Sequence, residues 1–212
     1  MYLYSQENVD YMSVLLGAIL RRSVLLAVVK DWMIFAESQF DMLLPQSVWE
    51  RRGQAMFIRY FQKDDAAQIE NVFKRSVLEL GPYFYSNEQV VAWAARGPTK
   101  DNILTRNAGG LTTLVSVNEA GDIEAYGELE QDGHIDQLYA APEARGTNVI
   151  PSIYDKIELL ARERGNNKLY TEASEGARRF FLKKGFVDRG RRDFEIEGVT
   201  IHNYAMDKAL KS

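Results

Sequence analysis

The chain has 212 residues, 46% of them hydrophobic, enough for one packed core with an appendage. Its formal charge of −4 argues against a protein that coats nucleic acid through overall charge, and the absence of cysteine removes disulfides, thiolate nucleophiles and cysteine-built zinc sites. Two histidines, His134 and His202, do not make a histidine-rich metal centre, so no metal is expected and the cytoplasm is assigned by default.

Residues 1–55 read as a helical N-terminal extension. Val14 to Leu20 and Val24 to Val29 are apolar blocks split by Arg21, Arg22 and Ser23, so no uninterrupted membrane span is expected, and the secretory-signal pattern is missing. Leu15, Ile19, Leu26, Val29 and Met33 recur at roughly helical spacing, which suits packing on the main domain or on a second copy in a homodimer. Pro45 to Gln54 reads as a linker, and residues 56–212 as the main domain.

Within that domain Met56 to Phe61 alternates as a first strand, and Asp64 or Asp65 opens a helix that ends at Gly81-Pro82. Ser86 caps a second helix over Asn87 to Arg96, followed by an irregular stretch through Gly110. Leu111 to Val117, Ile123 to Leu129 and His134 to Ala141 read as strands joined by hairpins. A helix over Pro151 to Arg164, a strand from Lys168 to Thr171 and a helix over Ser174 to Lys184 come next. Two strands, Asp193 to Ile196 and Val199 to Asp207, turn at Glu197-Gly198. The order predicts an α+β layered domain.

Ile135 to Ile153 is the stretch with the clearest chemistry. A strand, a polar turn and a proline-started helix leave backbone N–H groups free beside the positive end of a helix dipole, which favours phosphate oxygens. By strand alternation Asp136 shares a face with Leu138 and His134, and Glu128 lies on the adjacent strand. A carboxylate buried among apolar groups acquires the raised pKa of a general base, and Asp136 and Glu128 are the candidates; each also reads simply as a solvated strand residue.

The same stretch resembles the acetyl-CoA loop of the GNAT (GCN5-related) N-acetyltransferase family, Arg or Gln, x, x, Gly, x, Gly or Ala. Arg145 stands at its first position, and Asn148 and Ile150 stand where the family has small residues. Thr171-Glu172-Ala173-Ser174, then Ala177, Phe180, Phe181, Gly185 and Phe186, resemble the family's fifth strand and its following helix. Phe57-Ile58-Arg59 with Asp64-Asp65-Ala66 resembles its first strand and helix start. Tyr85-Ser86-x-x-Gln89-x-x-x-Trp93 is similar to an acceptor-side segment of one bacterial branch.

The resemblance implies a GNAT-like mixed, mostly antiparallel sheet flanked by helices, with acetyl-CoA as cosubstrate and a primary amine of a small molecule, peptide or protein as acceptor. It implies acetyl-CoA contacts from Leu138, Tyr139 and Ala140 and from Arg145, Gly146, Thr147, Asn148, Val149 and Ile150, and acceptor contacts from Tyr83, Tyr85 and Trp93. Phe181 stands where the family often has a proton-donating tyrosine; Tyr139, Tyr170 and Tyr204 are substitutes that spacing does not separate. Arg178, Arg179, Lys183, Lys184, Arg189, Arg191 and Arg192 form a basic run suited to the 3′-phosphate of CoA or to aminoacyl-tRNA, or to a solvated helix face. The other reading is a catalytically degenerate module that binds acyl-CoA or a protein partner.

Overall fold

The computed structural model describes residues 49–51 and 54–210. The described residues belong to one compact unit that runs from Ser47 to the end of the chain. The helical extension expected over residues 1–55 lies outside the described residues as far as residue 48. Within the expected linker a short strand, β1 (Trp49–Arg51), pairs antiparallel with β2 (Gln54–Tyr60).

Helix α1 (Ala66–Arg75) follows a 3-10 turn at Lys63–Asp65, whose buried Asp65 accepts the Gln62 N–H at 2.7 Å and pairs with Arg59. Ala66, Ile69, Val72, Phe73 and Val77 recur every three or four residues and are all buried, which fixes the inward face of α1. The helix widens into a π-type turn at Ser76–Leu80 before Gly81-Pro82 stops it. Ser86 caps α2 (Asn87–Ala95) as expected: its hydroxyl accepts the Gln89 N–H at 3.2 Å while Gln89 accepts the Ser86 N–H at 3.0 Å.

The stretch expected to be irregular contains a helix, α3 (Lys100–Ala108), capped by Thr99 through the Asn102 N–H. Its apolar residues are few, and Ile103 is the one buried residue of the helix, so periodicity gave no signal. The legible cue was Thr99 after Pro98, with Gly109-Gly110 at the far end.

β3 (Thr112–Val117), β4 (Ile123–Leu129) and β5 (Ile135–Ala140) extend the first sheet in the order β1-β2-β3-β4-β5, all antiparallel. A second sheet has the order β6-β8-β7, from β6 (Lys168–Ala173), β7 (Val187–Ile196) and β8 (Val199–Ala209). β7 begins six residues earlier than expected, its exposed arginine run having hidden it, and a register shift between Asp188 and Gly190 bends it.

Helix α4 (Val149–Glu163) covers one face of the first sheet with Ile153, Tyr154, Ile157 and Leu160, while α1 and α3 cover the other. β4, sandwiched between them, is therefore buried along nearly its whole length. Gly127 makes the α4 contact close: a Cβ there would stand 2.7 Å from Ile157 and 2.8 Å from Ile153. Helix α5 (Glu175–Lys183) follows Ser174, whose hydroxyl accepts the Ala177 N–H, and packs Phe180 and Phe181 onto the α4 side of the core.

Candidate active site

β5 and β6 run parallel and meet at one end. His134 and Tyr170 form a bridge, the Tyr170 N–H donates to the Gly133 carbonyl at 3.1 Å, and the Thr171 hydroxyl donates to the Ile135 carbonyl at 2.8 Å. Beyond Asp136 the two strands belong to different sheets and part like the arms of a V. The Ala141 N–H donates to the Glu124 carbonyl at 2.7 Å, so alternation directs the backbone of Tyr139 toward β4 and that of Leu138 and Ala140 into the gap. A cavity of about 480 Å³ runs along β5, with Leu138, Tyr139 and Ala140 in its wall and Ser174, just past the end of β6, also lining it.

At the open end of β5 a 3-10 turn, Pro142–Ala144, leads through Arg145, Gly146 and Thr147 to the Asn148 cap of α4. The helix starts at Val149, two residues before the proline expected to open it. Gly146, with φ of 77°, is the one left-handed residue of this loop. Asn148 has φ of −89°, so neither it nor the helical Ile150 needs a glycine's freedom. The N–H groups of Ala144, Arg145 and Thr147 are taken by carbonyls of the turn. Among the described residues no carbonyl takes those of Gly146, Asn148 and Ile150. Free N–H groups at a helix start are an anion cradle. Arg145, Gly146, Thr147 and Ile150 line the cavity; Asn148 is exposed beside it, and Val149 turns into the core. The Arg145 guanidinium stacks over Tyr83, 4.6 Å from the ring centroid, and Arg75 reaches from α1 to Glu143, so the loop is tied to the first helix.

The opposite wall comes from the wide turn after α1, from α2 and from α5. Tyr85 and Trp93 line the cavity with their rings edge to face at 5.4 Å, whereas Tyr83 is 67% exposed and meets Arg145 instead. The Tyr85 hydroxyl donates to the His202 carbonyl at 3.1 Å and accepts the Glu175 N–H at 2.8 Å. Burial pushes its pKa up to about 12, so Tyr85 holds the wall and does not titrate near neutrality. Phe84, read from sequence as part of the Tyr83-Phe84-Tyr85 joint in the acceptor wall or as a core aromatic, lines the cavity because Gly176 leaves room, a Cβ there standing 2.8 Å from the Phe84 ring.

Phe181 is buried in the cavity wall and has no proton to give. Of its substitutes, Tyr170 donates to Asp132 at 2.5 Å and Tyr204 to Glu175 at 2.6 Å, while Tyr139 lines the cavity, stacked on Tyr126.

Asp136 and Glu128 come together, but on a face alternation did not give. The register shifts between Glu128 and Leu129, leaving Asp136 as an extra residue beside Gln137, opposite Glu128. Leu138 packs toward α4, whereas Asp136 turns to α3, where Arg106 donates to it at 2.5 Å and to Glu128 at 3.0 Å. Neither carboxylate lines the cavity; Asp136 lies two residues before its wall residue Leu138 on β5, and Glu128 next to it on β4. Glu128 is fully buried with Oε1 unpartnered, and burial, only partly offset by Arg106, pushes its pKa up to about 7. His134, read from sequence as a surface hairpin position, is bracketed by Glu130 at 3.2 Å and Glu172 at 2.8 Å and stacks on Tyr170. Donor atoms of Glu130, His134 and Asp136 lie within 4.8 Å of one another, but Arg106 and the imidazole already share these carboxylates, making a charge network.

The basic run is largely neutralised. Arg178 pairs with Asp188, Lys184 with Asp155, Arg189 with Asp207, Arg191 with Asp193 and Arg192 with Glu172. That balance is a solvated ion-paired face.

A family model described as an acetyltransferase (GNAT) domain matches residues 84–208, more than half of the chain. The chain belongs to the GNAT family. A GCN5-related N-acetyltransferase structure from Rhodopseudomonas palustris, labelled aminotransferase class-II, is 33% identical with a TM-score of 0.67, the match covering 72% of this GNAT chain and 94% of that one. At 17% identity the likeness is one of fold: the PaiA N-acetyltransferase of Thermoplasma acidophilum in complex with coenzyme A gives a TM-score of 0.59 over 73% of this chain and 99% of that chain. The phosphinothricin acetyltransferase of Sinorhizobium meliloti in complex with AcCoA, also 17% identical, gives 0.57 over 73% and 88%. A comparison with curated proteins gave no match. In GNAT terms the mixed α+β architecture expected from sequence is the one observed. Among the described residues no helix is long and apolar enough to cross a membrane.

Proposed function

We propose that this chain is an acetyl-CoA-dependent N-acetyltransferase that moves the acetyl group to a primary amine by direct attack. The observation that carries the reading is the cavity in the V, walled on one side by the unpaired edge of β5 and ending at the free N–H groups of Gly146, Asn148 and Ile150. Acetyl-CoA supplies a thioester and a pyrophosphate. The loop N–H groups and Arg145 would hold the pyrophosphate, and the Leu138 and Ala140 edge would hold the pantetheine arm as an added strand.

In the transfer the amine nitrogen bonds to the thioester carbon, the carbon–sulfur bond breaks, and sulfur leaves with the electron pair. The chain's residues must hold the developing oxyanion and take the ammonium proton. The N–H of Leu138 or its neighbour Tyr139 is our assignment for the first task; alternation favours Leu138. For the second we assign Asp136 with Glu128: Asp136 precedes Leu138 by two residues on β5 and Glu128 is its neighbour on β4, so a chain of waters would carry the proton to them. Tyr85 and Trp93 would form the acceptor wall, with Tyr83 set back on Arg145.

Titration calorimetry of acetyl-CoA into the full chain, with CoA and ATP as controls, followed by a primary-amine panel read by mass spectrometry, tests the reading. Micromolar acetyl-CoA binding and an acetylated amine are expected. Binding without transfer to any amine would favour the degenerate module, and no binding in folded protein would sink both.

A further inference from the structure

Helix α3 brings Arg106 to Glu128 on β4 and to Asp136 at the start of β5, outside the cavity lining. Its Nη1 lies 3.0 Å from Glu128 Oε2, and its Nη2 lies 2.5 Å from Asp136 Oδ2 and 3.6 Å from Glu130. We propose that Arg106 is the positioning residue of the proton acceptor, holding the Glu128 and Asp136 carboxylates side by side so that the pair takes the acceptor's proton. The assignment deepens the transferase reading and rests on it.

The geometry is specific to a guanidinium. Its two terminal nitrogens lie in one rigid plane, so carboxylates on neighbouring strands that each take one nitrogen are held at a fixed separation; an ammonium has no such fork. Glu128 depends on this contact more than Asp136 does. Its side chain is 1% exposed against 30% for Asp136, and its Oε1 has no partner. The groups around it are otherwise acidic or phenolic: Tyr126 from β4, Glu130 just past the end of β4 and sharing Arg106, and Asp136 and Tyr139 from β5. His134 lies one step farther out, engaged by Glu130 and Glu172. Among the described residues Arg106 is the cation bonded to Glu128, so its removal leaves two adjacent carboxylates that resist ionising together.

The test uses the full chain labelled with 13C-glutamate, as native protein and as Arg106→Lys, Arg106→Met and Glu128→Gln, the last serving to assign the Glu128 carboxyl signal by its loss. Carboxyl titrations by NMR are recorded beside the pH dependence of kcat/KM for acetyl transfer to n-butylamine as the probe acceptor. Arg106→Met is expected to raise the Glu128 midpoint by about one to two pH units and to move the acidic limb of kcat/KM the same way. Its KM for acetyl-CoA should stay within about twofold. Arg106→Lys should fall between, keeping a charge without the fork.

An unmoved Glu128 midpoint in folded Arg106→Met overturns the proposal, as does a moved midpoint with an unmoved acidic limb, which would leave charge shielding alone. If Arg106→Met does not fold, Arg106→Lys decides, and an acidic limb at the native position overturns the assignment. A native chain that transfers to no amine fails the transferase reading and the catalytic part of this one, and the carboxyl titration then reports separately whether Arg106 governs Glu128.

Discussion

The hydroxyl of Thr171 donates to the carbonyl of Ile135 at 2.8 Å, and from this buried bond the two arms of the cavity diverge. Thr171→Val keeps the shape and removes the donor. We expect a loss of about 1–2 kcal/mol in denaturant unfolding, because a buried carbonyl loses a partner that water does not replace. Unchanged stability would mean the apex is held by the His134–Tyr170 bridge alone.

Restoring the family's small residues at the two drifted loop positions should act unequally. Asn148 already has an ordinary φ, and Ile150 packs against the α4 core. Asn148→Gly should change stability by less than about 1 kcal/mol, whereas Ile150→Gly should cost about 2–4 kcal/mol from lost packing and helix entropy. Thermal or denaturant melts separate the two, and a stabilised Ile150→Gly would contradict the packing argument.

Gly127→Ala tests the close approach of α4 to β4. With Ile157 and Ile153 below 3 Å from the added carbon, the helix must shift or the isoleucines leave their rotamers, at about 1–3 kcal/mol. Since α4 carries the loop, acetyl-CoA affinity should fall with stability, and calorimetry on the folded variant reads it.

Burial disfavours the charged form of His134, but hydrogen bonds to Glu172 and Glu130 outweigh it and push its pKa up to about 9. Its contribution to stability is therefore fully present below about pH 6.5 and lost as pH rises through 9, by roughly 1–3 kcal/mol. Glu128 acts in a lower window: the unfolded carboxyl ionises near 4.5 and the folded one near 7, so folding holds a proton and stability falls between these values. Unfolding measured from pH 4 to 10 should lose its upper slope in His134→Asn and its lower slope in Glu128→Gln; an upper slope retained in His134→Asn would show that the network is not its source.

Sheet, helices and loop were largely legible in the chain because each is written locally: Ser86 and Ser174 as caps, alternation in β3 and β4, Pro142 and Gly146 around the turn. Helix α3 was not, since its stability comes from Ile103 reaching a core built by other segments and from Arg106 finding acids 22 and 30 residues away. The site followed the same division. Leu138, Arg145, Ile150, Phe84, Tyr85 and Trp93 could be named from sequence order, while Val77, Leu80 and Gly176 entered the wall through packing.

By itself the sequence determined the alternation of elements, the helix cap at Ser86 and the missing hydroxyl at Phe181, all properties of a residue and its near neighbours. Tertiary structure alone decided where charge sits. A single register shift between Glu128 and Leu129 turned Asp136 from the face of Leu138 to that of Arg106, and packing then buried Glu128 beside it. A strand's period fixes faces only while its pairing is regular, and burial, which sets proton affinity, is a property of the assembled layers.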